Sequence, residues 1–243
     1  MISVKKYRHK PIYKKFVNLK KNVQNRKKVL KFTKQKWKNL LFLLKKLSKN
    51  NKRNCYYKFY DQTSYKSIKY RNRFSNNYKE SIINKKSFKL FYGSLNKNYL
   101  KTCVKNSIRL SNQLQNQINF NSIFVNLLEK RLDVVLLRSN LVLSIRNARQ
   151  IINHNHVFVN DKVVSTYSFL VNKGDCIKFS PKIIKKIKLY VVLSDFWPLP
   201  PTYLQVNYKL FQIRVLDEII FSNQPSKLLV WLNLRDVTKC YIK

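Results

Sequence analysis

Glycine is almost missing from this chain. Gly93 and Gly174 are the only two in 243 residues. Glycine-rich phosphate cradles need several, because backbone must approach phosphate where a Cβ would collide. Neither G-x-G-x-x-G nor G-x-x-x-x-G-K can be written here. That counts against dinucleotide enzymes, ATPases, GTPases, kinases and ordinary methyltransferases. Acidic residues are also scarce: 10 Asp+Glu stand against 51 Lys+Arg, a formal net charge of +41. Such self-repulsion opposes compaction unless a polyanion neutralises it. The four cysteines (Cys55, Cys103, Cys176, Cys240) lie far apart with no C-x-x-C pair. Neither a structural zinc site nor a disulfide framework is expected, and no cofactor is. Long apolar runs are lacking too. The longest stretches fall far short of the roughly 18 residues a membrane-spanning helix needs, so no membrane partner is expected.

What remains is a basic chain with an ordinary apolar content of 44%. A core is possible, and disorder is not forced. The charge is uneven. Residues 1–60 hold 21 Lys+Arg and no acid, whereas residues 111–180 hold 8 Lys+Arg and 4 acids. The basic, acid-free amino terminus is transit-peptide-like in charge, but it is Lys-rich rather than Arg/Ser/Ala-rich. Lys, Asn, Ile, Phe and Tyr abound while Ala148 is the sole alanine. That skew follows AT-rich codons, as in an organelle's or a parasite's genome.

The pattern along the chain predicts an α+β fold in three regions. Residues 1–128 read as a basic, mostly helical region, with an irregular segment over 51–88 and two or three helices around Gly93. The uncharged stretch 112–122 reads as interior. Residues 129–180 read as two short helices followed by short β-branched runs. On the first helix Leu128, Leu132, Val135 and Leu136 share a face, and Arg131 and Arg138 lie on another. Ser144 can cap the second, whose Ile145, Ala148, Ile151 and Ile152 make a buried stripe opposite Arg146, Arg149, Gln150 and Asn153. The second helix is expected to end near His154 and Asn155, since Asn tolerates the left-handed position. Strands are expected at 156–159, 163–164, 169–171 and 176–179, with turns at Asn160-Asp161 and Gly174. Residues 181–243 open on a basic run (Lys182, Lys185, Lys186, Lys188), bend at Pro198, Pro200 and Pro201, and form a short β extension that includes 228–232.

The order Arg131-Leu132-Asp133, Ser144, Ala148-Arg149-Gln150, Val159-Asn160, Gly174-Asp175 resembles the S4 RNA-binding domain. Two outer segments extend the likeness to the ribosomal protein S4 family of the small subunit. Lys89-Leu90-Phe91-Tyr92-Gly93 is similar to that family's K-L-R-x-x-Y-G. Pro201-Thr202-Tyr203-Leu204-Gln205-Val206-Asn207 is similar to its P-x-W-L-x-V-D. Asn155 and Asp161 stand where the family usually has glycine. The amino-terminal cysteine cluster of some relatives is absent, so no metal is inferred. The composition resembles organelle-encoded, mitochondrial members.

The resemblance implies a structural constituent of the small ribosomal subunit, not an enzyme. It implies a helix junction in the 5′ domain of small-subunit ribosomal RNA as partner, early binding in assembly, ribosomal protein S5 as a neighbour, the messenger RNA entrance nearby, and no small-molecule substrate. Double-helical RNA hides its bases in a deep, narrow major groove, so shape and backbone should be recognised. Arg146 and Arg149 lead as phosphate contacts, because guanidinium grips phosphate bidentately. Arg131, Arg138, Gln150, His154 and Lys162 follow. Lys27, Lys28 and Lys34 represent the amino-terminal run, which should track phosphates by counterion release. Plainer readings stand beside these: an ion pair of Arg131 with Asp133 or Glu129, an internal ion pair for Arg149, and a solvent-side place for His154 and His156. Two functional rivals remain, a stand-alone RNA-binding protein and a pseudouridine synthase. The latter family also carries R-L-D, with Asp as nucleophile, but here Lys130 precedes the motif and no Thr-Ser-Gly run follows.

Overall fold

The computed structural model describes residues 12–19, 33–49, 76–114, 118–192, 200–217 and 234–242. Nine helices and five strands occur among them. In chain order they are α1 Ile12–Leu19, α2 Gln35–Lys49, α3 Asn76–Phe91, α4 Lys97–Gln113, α5 Phe120–Glu129, α6 Leu132–Arg138 and α7 Ile145–Asn153. Then come β1 Val157–Val159, β2 Lys162–Val163, β3 Cys176–Phe179, α8 Pro181–Val192, β4 Leu204–Asn207, β5 Gln212–Val215 and α9 Leu234–Ile242. The α+β expectation holds. Lys27, Lys28, Cys55 and residues 228–232 lie outside the described residues.

All strand pairs are antiparallel, in the order β2-β1-β3-β5-β4. The sheet therefore continues past residue 180. The hairpin β4–β5 joins it through Cys176 opposite Arg214 and Ile177 opposite Ile213. Left-handed backbone marks the turns. Asn160 (φ 48°) and Asp161 (φ 65°) make the β1–β2 turn with two positive φ values in succession, which Asn and Asp tolerate. Asn160 has a second task. Its side chain accepts from Cys176 N at 3.0 Å and donates to Asp175 at 2.8 Å, while Asp175 accepts from Asn172 N at 2.7 Å. The V-N and G-D pieces of the sequence thus lock two turns to each other. Asn207 closes the β4–β5 turn in the same way, accepting from Lys209 N and Leu210 N.

Two cores form. One gathers Phe16, Trp37, Leu40, Phe88, Tyr92, Leu100, Phe124, Leu128, Val237 and Tyr241 from the helices. The other gathers Leu132, Leu136, Ala148, Ile152, Val157, Ile177, Leu204 and Ile213 under the sheet. Helices α6 and α7 serve both. Val134 and Ile145 point into the helical core, whereas Leu132, Val135, Ala148 and Ile151 point under the sheet. α9 packs on α3, α4 and α5, so the end of the chain closes the first core.

Five expectations need correction. The first helix of the 129–180 unit is two helices. Arg131 takes extended backbone (φ −68°, ψ 135°) and bridges Leu170, and Val171 N donates to Lys130 O at 2.9 Å. That pairing draws the backbone out of the helix. It is also all that forms of the strand expected at 169–171. The irregular 51–88 segment becomes helical from Asn76. Within the uncharged 112–122 stretch, Leu114 and Ile118 are exposed, because uncharged Asn and Gln need no burial. The basic run after 181 is a helix, with Ile187 buried and its lysines outward.

Ala148 is fully buried where α6 and α7 meet. A larger side chain would have to force the two helices apart. Ala148→Leu is expected to lower stability by about 1–3 kcal/mol, read by urea denaturation at constant m-value.

Candidate nucleic-acid interface

The site begins with where the cations of 129–180 point. Five arginines and lysines were expected on the ligand side, and the structure sorts them into two groups. Arg131 is fully buried, and its Nε and Nη2 each donate to Asp133 at 3.1 Å. Its guanidinium also lies over the rings of Tyr99 (4.9 Å) and Tyr167 (5.7 Å). Arg138 is buried as well and grips Glu129 through Nε at 2.9 Å and Nη2 at 2.8 Å. Arg149 donates to Asp133 at 2.7 Å, to Gly93 O at 2.7 Å and to Tyr92 O at 3.1 Å. Its side chain retains 20% exposure. Expected on the ligand side, these three instead turn to internal partners, which for Arg131 and Arg149 is the plainer reading given above. Arg131 and Arg138 are each held by a carboxylate fork and Arg149 by one carboxylate and two carbonyls, and satisfied interior charges do not turn outward.

The second group is outward. α7 exposes Arg146, Gln150, Asn153 and His154 along one side, opposite Ile145, Ala148, Ile151 and Ile152. Ser144 fixes the start of this helix by accepting from Asn147 N at 3.2 Å. Asn155, with φ 59°, ends it where a glycine was usual, and it carries that conformation without distortion of the hydrogen bonds to Ile151 and Ile152 carbonyls. His154 stacks against His156 at 6.3 Å, and His156 Nδ1 lies 3.0 Å from Ser180 Oγ. Lys162 is exposed on β2 and has no ion pair among the described residues. Lys34 is exposed at the entry to α2, where its carbonyl accepts from Trp37 and Lys38 amides.

The inward group links parts of the chain that are far apart in sequence. Glu129 accepts from Tyr92 Oη at 2.7 Å and Tyr203 Oη at 3.3 Å besides Arg138. Tyr92 and Gly93 belong to the segment before the unit, and Tyr203 to the segment after it. Burial, then the Glu129 charge, pushes both tyrosine hydroxyls well above the usual range, so they stay protonated donors. Burial disfavours the Arg138 cation, but Glu129 outweighs it and holds the charge in place. Gly93 (φ 73°) must be glycine. A Cβ there would overlap Ile145 Cγ2 and come within 2.8 Å of Arg149 Nη2. Sequence reasoning missed Tyr92, Glu129 and Tyr203 as one network, although all three lie in or beside the quoted motifs. It also passed over the cations of α4, whose four-residue spacing was visible. Asp133, the nucleophile of the enzymatic rival, has no exposed side-chain surface and already binds two guanidiniums.

Comparison with known proteins agrees with this geometry. The S4 domain family model matches residues 130–177. Small ribosomal subunit protein uS4 of Wolbachia sp. subsp. Drosophila simulans (strain wRi) is 32% identical over 149 residues, covering 61% of this chain and 70% of that protein. Small ribosomal subunit protein uS4m of Dictyostelium discoideum is 45% identical over 71 residues, 27% of this chain and 24% of that protein. The uS4m protein of Reclinomonas americana is 37% identical over 92 residues, 35% of this chain and 36% of that protein. The chain thus spans about a quarter to a third of the two mitochondrial relatives.

Removing one member of a buried charge set leaves its partners uncompensated. Asp133→Asn is expected to cost about 3–5 kcal/mol in denaturant unfolding. Arg149→Ala is expected to lower stability first and RNA affinity only through it. Loss of affinity at an unchanged unfolding midpoint would contradict that order. Alkali gives an independent check. Tyr92 and Tyr203 have raised folded pKa values, so their contribution is complete below the unfolded tyrosine value of about 10 and is lost as pH rises above it. The double Phe variant should flatten the fall in stability beyond pH 10.

Proposed function

Because the chain belongs to the uS4 family of small ribosomal subunit proteins, we propose that it is a structural, RNA-binding constituent of the mitochondrial small subunit. The mitochondrial setting follows the relatives named uS4m. Its partners in this reading are small-subunit ribosomal RNA and neighbouring ribosomal proteins. The finer assignment is a helix junction in the 5′ domain, bound early in assembly, with ribosomal protein S5 adjacent and the messenger RNA entrance close by.

One observation carries the reading. α7 offers an outward row of Arg146, Gln150, Asn153 and His154 on a helix whose other side is fully buried. The unit's two buried carboxylates, Glu129 and Asp133, are consumed by internal arginines, and Asp161 pairs with Lys178. Little acid is left to oppose a phosphate near α7. Guanidinium, amide and imidazole groups in one row suit phosphate and ribose oxygens at the surface of a folded RNA. Lys162 and Lys34 extend the set as backbone contacts, and Lys27 and Lys28 belong to it by charge.

Such binding should depend steeply on salt. If about 8 phosphates are neutralised, the log–log slope of affinity against salt is expected at roughly −5 to −7. Arg146→Ala should lower its magnitude by about 1 and leave the unfolding midpoint unchanged. In density gradients of mitochondrial lysate the protein should travel with small subunits. A flat salt titration, or migration apart from the subunit, would overturn the reading.

A further inference from the structure

α4 carries a row of cations that nothing above uses. Lys97, Lys101, Lys105 and Arg109 recur every four residues, and no acid occurs anywhere in the helix. Residues four apart on a helix are neighbours, and each step of four turns the position by only about 40°. The four side chains therefore form one slowly winding ridge about 18 Å long, at 1.5 Å per residue. Its orientation is fixed from beneath. Leu100, Cys103, Val104, Ser107 and Ser111 are buried against α5 and α9, which holds the ridge toward solvent. Lys97, Lys105 and Arg109 are exposed and Lys101 half-buried. None of the four has an ion pair among the described residues.

This arrangement is unfavourable by itself. Three successive like-charge pairs at i, i+4 repel, where opposite pairs would stabilise the helix. The same molecule pairs its arginines economically inside, at Asp133 and Glu129. A solvated surface helix would ordinarily mix the two signs along such a row. A polyanion removes the repulsion and gains from every member of the row.

We propose that the outer ridge of α4 is a second RNA-backbone contact, separate from the row on α7, that lies along the phosphates of a double-helical segment. It rests on the ribosomal RNA reading above. Three of the four ridge groups are ammoniums, which are point charges without a planar edge, so the ridge reads charge and shape rather than bases. The favoured ligand is continuous helical RNA, whose phosphates are regularly spaced, rather than an acidic protein face.

The test compares the full-length protein with K97Q/K105Q/R109Q, bound to transcribed small-subunit ribosomal RNA across a salt series. All three positions are exposed, so the fold should survive, with an unfolding midpoint equal to or above that of the parent. The variant is expected to bind tens-fold more weakly at low salt, with a slope smaller in magnitude by about 2 to 3. K97R/K101R/K105R, which keeps the charge, should bind as the parent does, and this excludes a packing effect. If the neutral variant keeps the parent's affinity and slope, the ridge is only a solvated face and the inference fails. Unchanged RNA binding with poor incorporation into the subunit would assign the ridge to an acidic protein surface, which also overturns it. Absence of salt-dependent binding by the parent protein would instead sink the ribosomal reading itself, so the two failures are told apart.

Discussion

Glu129 and Asp133 stand on either side of the break between α5 and α6, and the arrangement of the surrounding elements depends on them. Asp133 holds Arg131 within its own helix entry and Arg149 from α7. Arg149 then reaches the carbonyls of Tyr92 and Gly93 at the end of α3. Glu129 holds Arg138 from the far end of α6, Tyr92 again, and Tyr203 from the approach to β4. Buried charges are costly, and ion pairs inside proteins often do little better than apolar packing. Here they specify geometry. Two carboxylates with directional partners fix how α3, α6, α7 and the β4–β5 hairpin meet, which nonspecific burial would leave loose.

That constraint shapes the surface. A chain with so few acids places two of them where they hold three arginines internally, with one positive charge left over. The charge removed from the surface is thus mostly paired positive charge that could not have served a phosphate anyway. The cations that stay outside on α7 and α4 have no ion pair among the described residues and are held by helices with well-packed undersides. Pre-organised cations on rigid elements lose little freedom when a polyanion arrives. The same economy explains why Gly93 is retained in a chain nearly devoid of glycine. Arg149 and Ile145 come so close to its backbone that a Cβ has no room.

Much of the fold was legible because local chemistry and tertiary outcome agree. Ser144 as a cap, the buried stripe of α7, Asn155 as terminator and the Asn160-Asp161 turn all follow from short-range rules. The strand expected at 169–171 is reduced to one bridge because its partner is the short extended stretch at 130–132 between two helices. The inward turn of Arg131, Arg138 and Arg149 was hidden for a related reason. Helical spacing says which residues share a side, but not whether that side meets solvent or a carboxylate from another element.

Sequence alone determined the sign of the charge, the α+β class, the family likeness and the outward places of Arg146, Gln150 and Asn153, since these rest on composition and on periods of a few residues. The tertiary structure decided which arginines remain available. The deciding partners, Gly93, Tyr92, Glu129, Asp133 and Tyr203, include pairs that bond across as many as 74 residues of sequence. An ion pair is a matter of distance in space, and no one-dimensional period encodes it.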